Sequence, residues 1–109
     1  MKMRKLGNTD LETAPIVFGG NVFGWTLDKK ESFELLDAFV EAGFNTIDTA
    51  DVYGDGRSES LIGQFIKNRR EELFIATKVG RNNYPGPYTA DTLKNHVTDS
   101  IERLGVEAL

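Results

Sequence analysis

Three side chains that can hold or transfer a proton stand close behind two apolar segments of the chain. Asp48 follows residues 44–47, Tyr53 lies five positions later, and Lys78 follows residues 73–77. A phenol is a weak acid at neutral pH, but a neighbouring ammonium stabilises the phenolate and eases proton transfer to a substrate oxygen. A carboxylate beside that ammonium keeps it charged and fixed in direction. These residue types suit acid catalysis of carbonyl reduction, with the hydride coming from a cofactor.

For these groups to act together, the two apolar segments must be neighbouring strands. Alternate side chains of a strand face the same side, so Thr46 shares a face with Asp48, and Ala76 shares one with Lys78. The carboxyl ends of parallel strands meet at one rim of a sheet or barrel. We therefore expect Asp48 and Lys78 to meet there, with Tyr53 in the loop that follows.

The strands expected to position these residues are short and regularly spaced. Residues 3–6 and 11–14 predict a hairpin around a turn at 7–10. Further strands are predicted at residues 16–18, 44–47 and 73–77, with a fourth beginning within 106–109. The successive apolar runs are about 30 positions apart, the length of a βαβ unit, which favours parallel strands.

Three helices are predicted between these strands, from apolar residues at helical spacing. They cover residues 29–42, residues 59–68, and the segment between Thr89 and Gly105. Asp28 with Glu31 forms a capping-box-like start for the first helix, which Gly43 stops, and Ser58 is the predicted N-cap of the second. The charged residues 68–72 predict a solvated turn.

Composition excludes several classes of function. The chain has 109 residues, no cysteine, one histidine (His96) and a formal charge of −4. It therefore lacks disulfides, thiolate zinc sites and a histidine-rich metal site, and its acidic balance argues against nucleic-acid binding. No apolar run is long enough to cross a membrane, so we expect a cytoplasmic protein. Neither a phosphate-binding loop nor a GxGxxG fingerprint is present.

The elements predict an α/β chain, interpreted as a partial (β/α)8 TIM barrel: an N-terminal hairpin plus about three βα units. A complete barrel of this kind takes about 250 residues. The alternative from size alone is a complete small α/β domain, since a domain of this length buries roughly 65% of its unfolded surface.

At the level of motifs, the sequence resembles the N-terminal part of the aldo-keto reductases. The likeness is carried by residues 5–11, the glycine-containing segment 18–24, the signature 48–54 with Ser58 and Glu59 after it, and the segment 75–79. It implies a (β/α)8 barrel that binds NADPH, or NADH, without a Rossmann motif. It also implies a catalytic tetrad of Asp, Tyr, Lys and His, of which the first three map onto Asp48, Tyr53 and Lys78.

The tetrad histidine has no counterpart in the chain. The family places it on the strand after the third helix, and His96 is predicted to lie on the surface of that helix. Most phosphate and adenine contacts in the family come from the C-terminal half. The resemblance therefore implies that residues 1–109 are an incomplete domain that is not competent alone.

Candidate cofactor-binding residues are Gly19, Gly20, Asn21 and Asp48. Bare backbone at the two glycines would let the nicotinamide half of a cofactor approach closely, although a tight turn after the strand explains them equally well. Asn21 would add a polar contact.

Three aromatic residues in predicted loops are candidates for lining a substrate pocket: Phe23, Trp25 and Tyr84. Aromatic residues in loops more often cover the edge of a core, and that alternative stays open.

The function expected from these residues is NADPH-dependent reduction of aldehydes or ketones, acting on a small-molecule carbonyl substrate without a metal. Two alternatives remain. The chain is a non-catalytic barrel fragment that self-associates through exposed strand edges, or it is a regulatory member of the fold that senses the cofactor.

Overall fold

A small antiparallel hairpin precedes three parallel strands that alternate with helices. The computed structural model describes residues 1–67, 69, 71–80 and 84–109. The strands are β1 (Arg4–Lys5), β2 (Glu12–Thr13), β3 (Phe18–Gly19), β4 (Thr46–Asp48) and β5 (Phe74–Ala76). The α-helices are α1 (Lys29–Glu41), α2 (Arg57–Ile66) and α3 (Ala90–Leu104).

The parallel sheet has the order β3-β4-β5, so the two predicted βαβ units are confirmed. Phe18 pairs with Ile47, and Ile47 pairs with Ile75. The first strand of this sheet, β3, therefore begins at Phe18 and not at residue 16 as predicted. Ile16 and Val17 are 56% and 49% exposed because pairing with β4 starts only at Phe18.

The hairpin closes the amino end of this sheet. Arg4 pairs with Thr13, which confirms the predicted antiparallel hairpin. Asn45, just before β4, donates from its Nδ2 to the carbonyl of Glu12 at 2.9 Å and accepts from the amide of Ala14 at 3.0 Å. One side chain thus satisfies two backbone groups and fastens the hairpin to the sheet.

The helix caps of α1 and α3 agree with the sequence. The Asp28 carboxylate accepts from the amide of Glu31 at 2.8 Å, completing a capping box. Thr89 caps α3 in the same way, and Gly105 ends it in the left-handed region at φ +66°. These local signals place both helices within a residue or two of their predicted bounds.

The start of α2 differs from the prediction. The helix begins at Arg57, and the residue before it is Gly56 at φ +89°, where a side chain would be strained. Ser58 is therefore not the N-cap. It lies inside the first turn, and its buried hydroxyl bonds to residues outside the helix. The helix ends at Ile66, and residue 68 of the predicted range lies outside the described residues.

The core lies between the sheet and the helices. Its buried cluster comprises Phe23, Leu36, Phe39, Ile47, Ile62, Phe65 and Leu104. Phe18 is partly buried and stacks on Phe23 with ring centroids 5.2 Å apart. The core therefore covers the face of the sheet that carries Ile47, leaving the opposite face, which carries Asp48, for the site.

Two segments near the sheet depart from expectation. Residues 106–109 form no strand with any described residue, contrary to the prediction; Val106 packs against the core, and Ala108 and Leu109 border a cavity together with Phe74 and Ile75 of β5. Arg69, in the predicted solvated turn, is held 2.6 Å from Asp37 and lies 4.4 Å over the Phe65 ring. Residues 68 and 70 of that turn lie outside the described residues. No helix in the described part of the chain is both long and apolar enough to cross a membrane.

Candidate functional site

The carboxyl ends of β4 and β5 stay paired beyond the strands themselves. The amide of Thr49 donates to the carbonyl of Ala76 at 2.8 Å, and the amide of Asp51 donates to the carbonyl of Lys78 at 3.0 Å. Because this ladder continues, side chains keep alternating between the two faces. Asp48 and Lys78 therefore emerge on the same face, as predicted.

The Lys78 ammonium is held by three oxygen atoms. Its Nζ donates to both carboxylate oxygens of Asp48, at 2.9 and 2.8 Å, and to the carbonyl of Thr49 at 2.8 Å. The two side chains are 50% and 40% exposed, and ion pairs exposed to this degree contribute only about 0–1 kcal/mol to stability. The main consequence of the pair is the fixed direction of the ammonium.

Tyr53 lies beside that ammonium. It begins a 3-10 turn, Tyr53–Gly56, and the Lys78 Nζ is 5.3 Å from the centroid of its ring. This separation permits a cation–π attraction, which favours keeping the two groups together. The structure thus brings together the three residues that the sequence singled out for proton chemistry.

The side chains of Tyr53 and Lys78 border an open cavity of about 420 Å³. Its lining residues are Ala50, Asp51, Val52, Tyr53, Lys78 and Val79. A cavity of this volume falls within the range of small-molecule sites, and its lining combines apolar groups with a few polar ones.

The two adjacent glycines have different surroundings. A Cβ at Gly20 would lie 3.0 Å from the carbonyl oxygen of Asp48 and 3.1 Å from Ser58 Oγ. Gly20 is buried, and its lack of a side chain lets the protein pack on itself. Gly19 is exposed, and a Cβ there would meet only Asn21 Oδ1, at 3.7 Å. Exposed backbone for an approaching ligand is therefore offered by Gly19 and Asn21.

Buried hydroxyls fix the loop after β3 against the end of β4. Ser58 Oγ donates to the carbonyl of Gly20 at 2.7 Å and lies 2.8 Å from Thr49 Oγ1. Ser58 and Thr49 are both fully buried. This role of Ser58 could not be predicted from the sequence, because its partners Thr49 and Gly20 lie 9 and 38 positions away and are brought to it by the fold.

The three candidate substrate-lining aromatics do not gather at the cavity. Phe23 is fully buried in the core, so the expectation that it lines a pocket disagrees with the structure. Trp25 is 74% exposed. Tyr84 packs against Tyr88 and against the ring of His96, with centroids 5.3 and 5.1 Å apart.

His96 is not among the residues that line the cavity beside Lys78 and Tyr53. It is in α3, as predicted, and borders a smaller cavity of about 140 Å³. That cavity is lined by Asp51, Asp55, Gly56, His96, Asp99 and Arg103. Among the described residues, no cluster of three or more histidine or acidic side chains is arranged to hold a metal ion.

Glu59 is a further polar residue close to the site, and its motif position alone does not indicate a role. Its side chain is fully buried and bonds to Thr77, the residue before Lys78. The signal that could have found it is a charged residue on the apolar side of a helix, one position from Ser58.

Comparisons with known proteins agree with this architecture. A sequence model of the Aldo/keto reductase family matches residues 15–109. The chain is 40% identical over 105 residues to an uncharacterized oxidoreductase, YqkF, of Bacillus subtilis (strain 168), covering 94% of the chain and 34% of that protein. It is 49% identical over 90 residues to an uncharacterized 11.2 kDa protein of Pseudescherichia vulneris, covering 73% of the chain and 87% of that protein.

Among solved structures, the chain resembles the holo form of an aldo-keto reductase from Bacillus halodurans. The TM-score is 0.84 at 33% identity, covering 98% of the chain and 37% of that structure. The chain thus spans about a third of the length of this protein and of YqkF. The predicted fold class, part of a (β/α)8 barrel, is confirmed.

Proposed function

Because the chain belongs to the aldo/keto reductase family, we propose that it contributes Asp48, Tyr53 and Lys78 to a site that reduces aldehydes or ketones to alcohols. NADPH is the proposed reductant, with NADH as the alternative. The observation that carries the proposal is the Lys78 ammonium, which is bonded to Asp48 and lies over the Tyr53 ring at an open cavity.

Each of the three residues has a distinct role in the proposed reaction. The Tyr53 hydroxyl donates its proton to the carbonyl oxygen as the carbonyl carbon is reduced, and solvent later restores that proton. The Lys78 ammonium stabilises the phenolate that forms, because a positive charge nearby favours the ionised phenol. Asp48 holds the ammonium in place. In the reverse direction Tyr53 accepts the proton.

The open side of the site fits the nicotinamide end of a cofactor. Gly19 is exposed and has no side chain to block a planar ring, and the neighbouring Asn21 side chain is exposed. Asp48 borders the same face of the sheet. A bound nicotinamide would supply a hydride to the carbonyl carbon, which is chemistry that amino-acid side chains lack.

The test is the reductase activity of the protein expressed from its natural gene. NADPH oxidation would be followed with a set of aldehydes and ketones. Tyr53→Phe is expected to lower kcat by about 10²- to 10⁴-fold, the usual contribution of a positioned acid. NADPH affinity, measured by fluorescence titration, should stay nearly constant. Tyr88→Phe, which changes an exposed tyrosine outside the cavity, is the matched control. Unchanged turnover in Tyr53→Phe would refute the acid role.

Self-association is a second candidate, favoured by the edges of the sheet. In the described part of the chain, the outer edges of β3 and β5 have no partner strand, and Ile16 and Val17 are exposed beside β3. Open edges of this kind pair readily with another chain. Light scattering of the 109-residue chain should then show a dimer that Val17→Lys converts to a monomer. A monomer at every concentration would contradict this candidate.

A further inference from the structure

Glu59 is a buried carboxylate whose described partners lie in α3 and in the segment just after β5. Its side chain is fully buried in α2. Oε2 accepts a hydrogen bond of 2.7 Å from the Thr77 hydroxyl, and Oε1 accepts one of 2.8 Å from Nε of Arg103 in α3, whose Nη2 lies 2.7 Å from the same oxygen. A buried charge is tolerated only when it is paired and hydrogen-bonded, and both oxygens of Glu59 are.

The Thr77 contact lies directly beside the proposed catalytic lysine. Consecutive residues of an extended segment face opposite sides, so the direction of the Thr77 side chain sets that of Lys78. The Thr77 hydroxyl points towards Glu59 of α2, and the Lys78 side chain therefore points to the other side, where its ammonium donates hydrogen bonds to Asp48.

The backbone ladder with the β4 side is one restraint on this segment. β5 ends at Ala76, and past that residue the carbonyl of Lys78 accepts from the amide of Asp51. The bond from Thr77 to Glu59 is a second restraint, and it acts on the opposite face of the segment. Arg103 pairs with the other carboxylate oxygen of Glu59 and thereby connects α3 to the same side chain.

From this arrangement we propose that Glu59 is a positioning residue for Lys78 and acts through the hydroxyl of Thr77. The inference rests on the proposed function for its catalytic consequence, but the orientation of the ammonium can be measured separately. Glu59 itself lies behind the strand and does not line the cavity.

The experiment compares Thr77→Val with Thr77→Ser. Valine keeps the shape of threonine without the hydroxyl, whereas serine keeps the hydroxyl. Two quantities are measured in the protein expressed from its natural gene. One is the proton-exchange rate of the Lys78 ammonium by ¹⁵N NMR, assigned from its loss in Lys78→Met. The other is kcat for carbonyl reduction.

Asp37→Asn is the matched control, because it weakens the ion pair with Arg69, a contact away from Thr77. We expect Thr77→Val to speed ammonium exchange and to lower kcat about 10- to 100-fold with KM nearly unchanged, as a misplaced catalytic group would. Thr77→Ser should keep both the exchange rate and kcat close to their wild-type values. Asp37→Asn should change neither, even if it lowers stability.

The positioning role is overturned if Thr77→Val leaves both quantities at wild-type values or shifts them only as Asp37→Asn does. If Thr77→Val does not fold, Glu59→Gln replaces it, since the amide keeps the shape but is a weaker acceptor; the same two changes, smaller in size, are expected. If the wild-type protein reduces no carbonyl but Thr77→Val still speeds proton exchange of the Lys78 ammonium, the proposed function is refuted and the positioning role stands.

Discussion

The Lys78 ammonium reaches across from β5 to β4 and donates to both carboxylate oxygens of Asp48, at 2.9 and 2.8 Å. The two residues are 30 positions apart in sequence, and parallel pairing of the strands is what makes them neighbours. Both side chains are substantially exposed, so the pair orients a charge at the rim of the sheet and adds little to its stability.

The exposed pair and the buried carboxylate should differ in their effect on stability. Asp48→Asn is expected to lower the free energy of unfolding by less than about 1 kcal/mol, because the pair is open to solvent. Glu59→Ala should cost about 3 kcal/mol, near the lower end for buried pairs, since Arg103 is 30% exposed and can reach water. Urea denaturation of both variants measures this difference. Equal losses would contradict the expectation that the buried carboxylate of Glu59 contributes more to stability than the exposed pair of Asp48 and Lys78.

The adjacent glycines Gly19 and Gly20 should respond differently to the same substitution. Gly20→Ala places a methyl group against the carbonyl of Asp48, and we expect a loss of about 1–3 kcal/mol from overpacking. Gly19→Ala meets only Asn21 Oδ1, at an ordinary contact distance of 3.7 Å, and should leave stability unchanged, but it should weaken NADPH binding under the proposed function. Thermal unfolding and fluorescence titration check the two outcomes. If Gly19→Ala and Gly20→Ala lower stability equally, the close packing around Gly20 is contradicted.

Gly63 allows α2 and α3 to approach closely. A Cβ at this position would collide with the main-chain carbonyl of Arg103 and would lie 3.0 Å from the backbone of Leu104. Gly63→Ala is therefore expected to cost roughly 1–3 kcal/mol, because neither obstacle is a flexible side chain. Gln64→Ala, an exposed change on the same helix, is the control and should stay within about 0.5 kcal/mol. Equal stability of the two variants in urea would argue against the close crossing.

Local signals in the sequence were enough to predict most of the elements. Asp28 with Glu31, and Thr89 with Gly105, fix the ends of two helices through contacts within a few residues. The alternation of strands and helices likewise predicted parallel pairing. Parallel pairing, together with the alternation of side chains along a strand, was enough to predict that Asp48 and Lys78 are neighbours.

What the sequence did not reveal depends on contacts between distant residues. Ser58 is a plausible N-cap by residue type, but a turn with two left-handed glycines makes α2 begin earlier. The Ser58 hydroxyl is therefore available to bond to the carbonyl of Gly20. Phe23 follows a loop-like segment, yet it is buried against Phe18. The role of Glu59 required knowing that α3 brings Arg103 to it.

The central claim is that Asp48 and Lys78 act as one unit in the reaction, and a double-mutant cycle tests it most directly. The measured quantity is kcat/KM for carbonyl reduction in Asp48→Asn, Lys78→Met and the double variant of the protein expressed from its natural gene. Groups that act as a unit are non-additive, so the double variant should be no slower than the worse single variant. Losses that multiply, each substitution costing the same whether or not the other is present, would contradict the account.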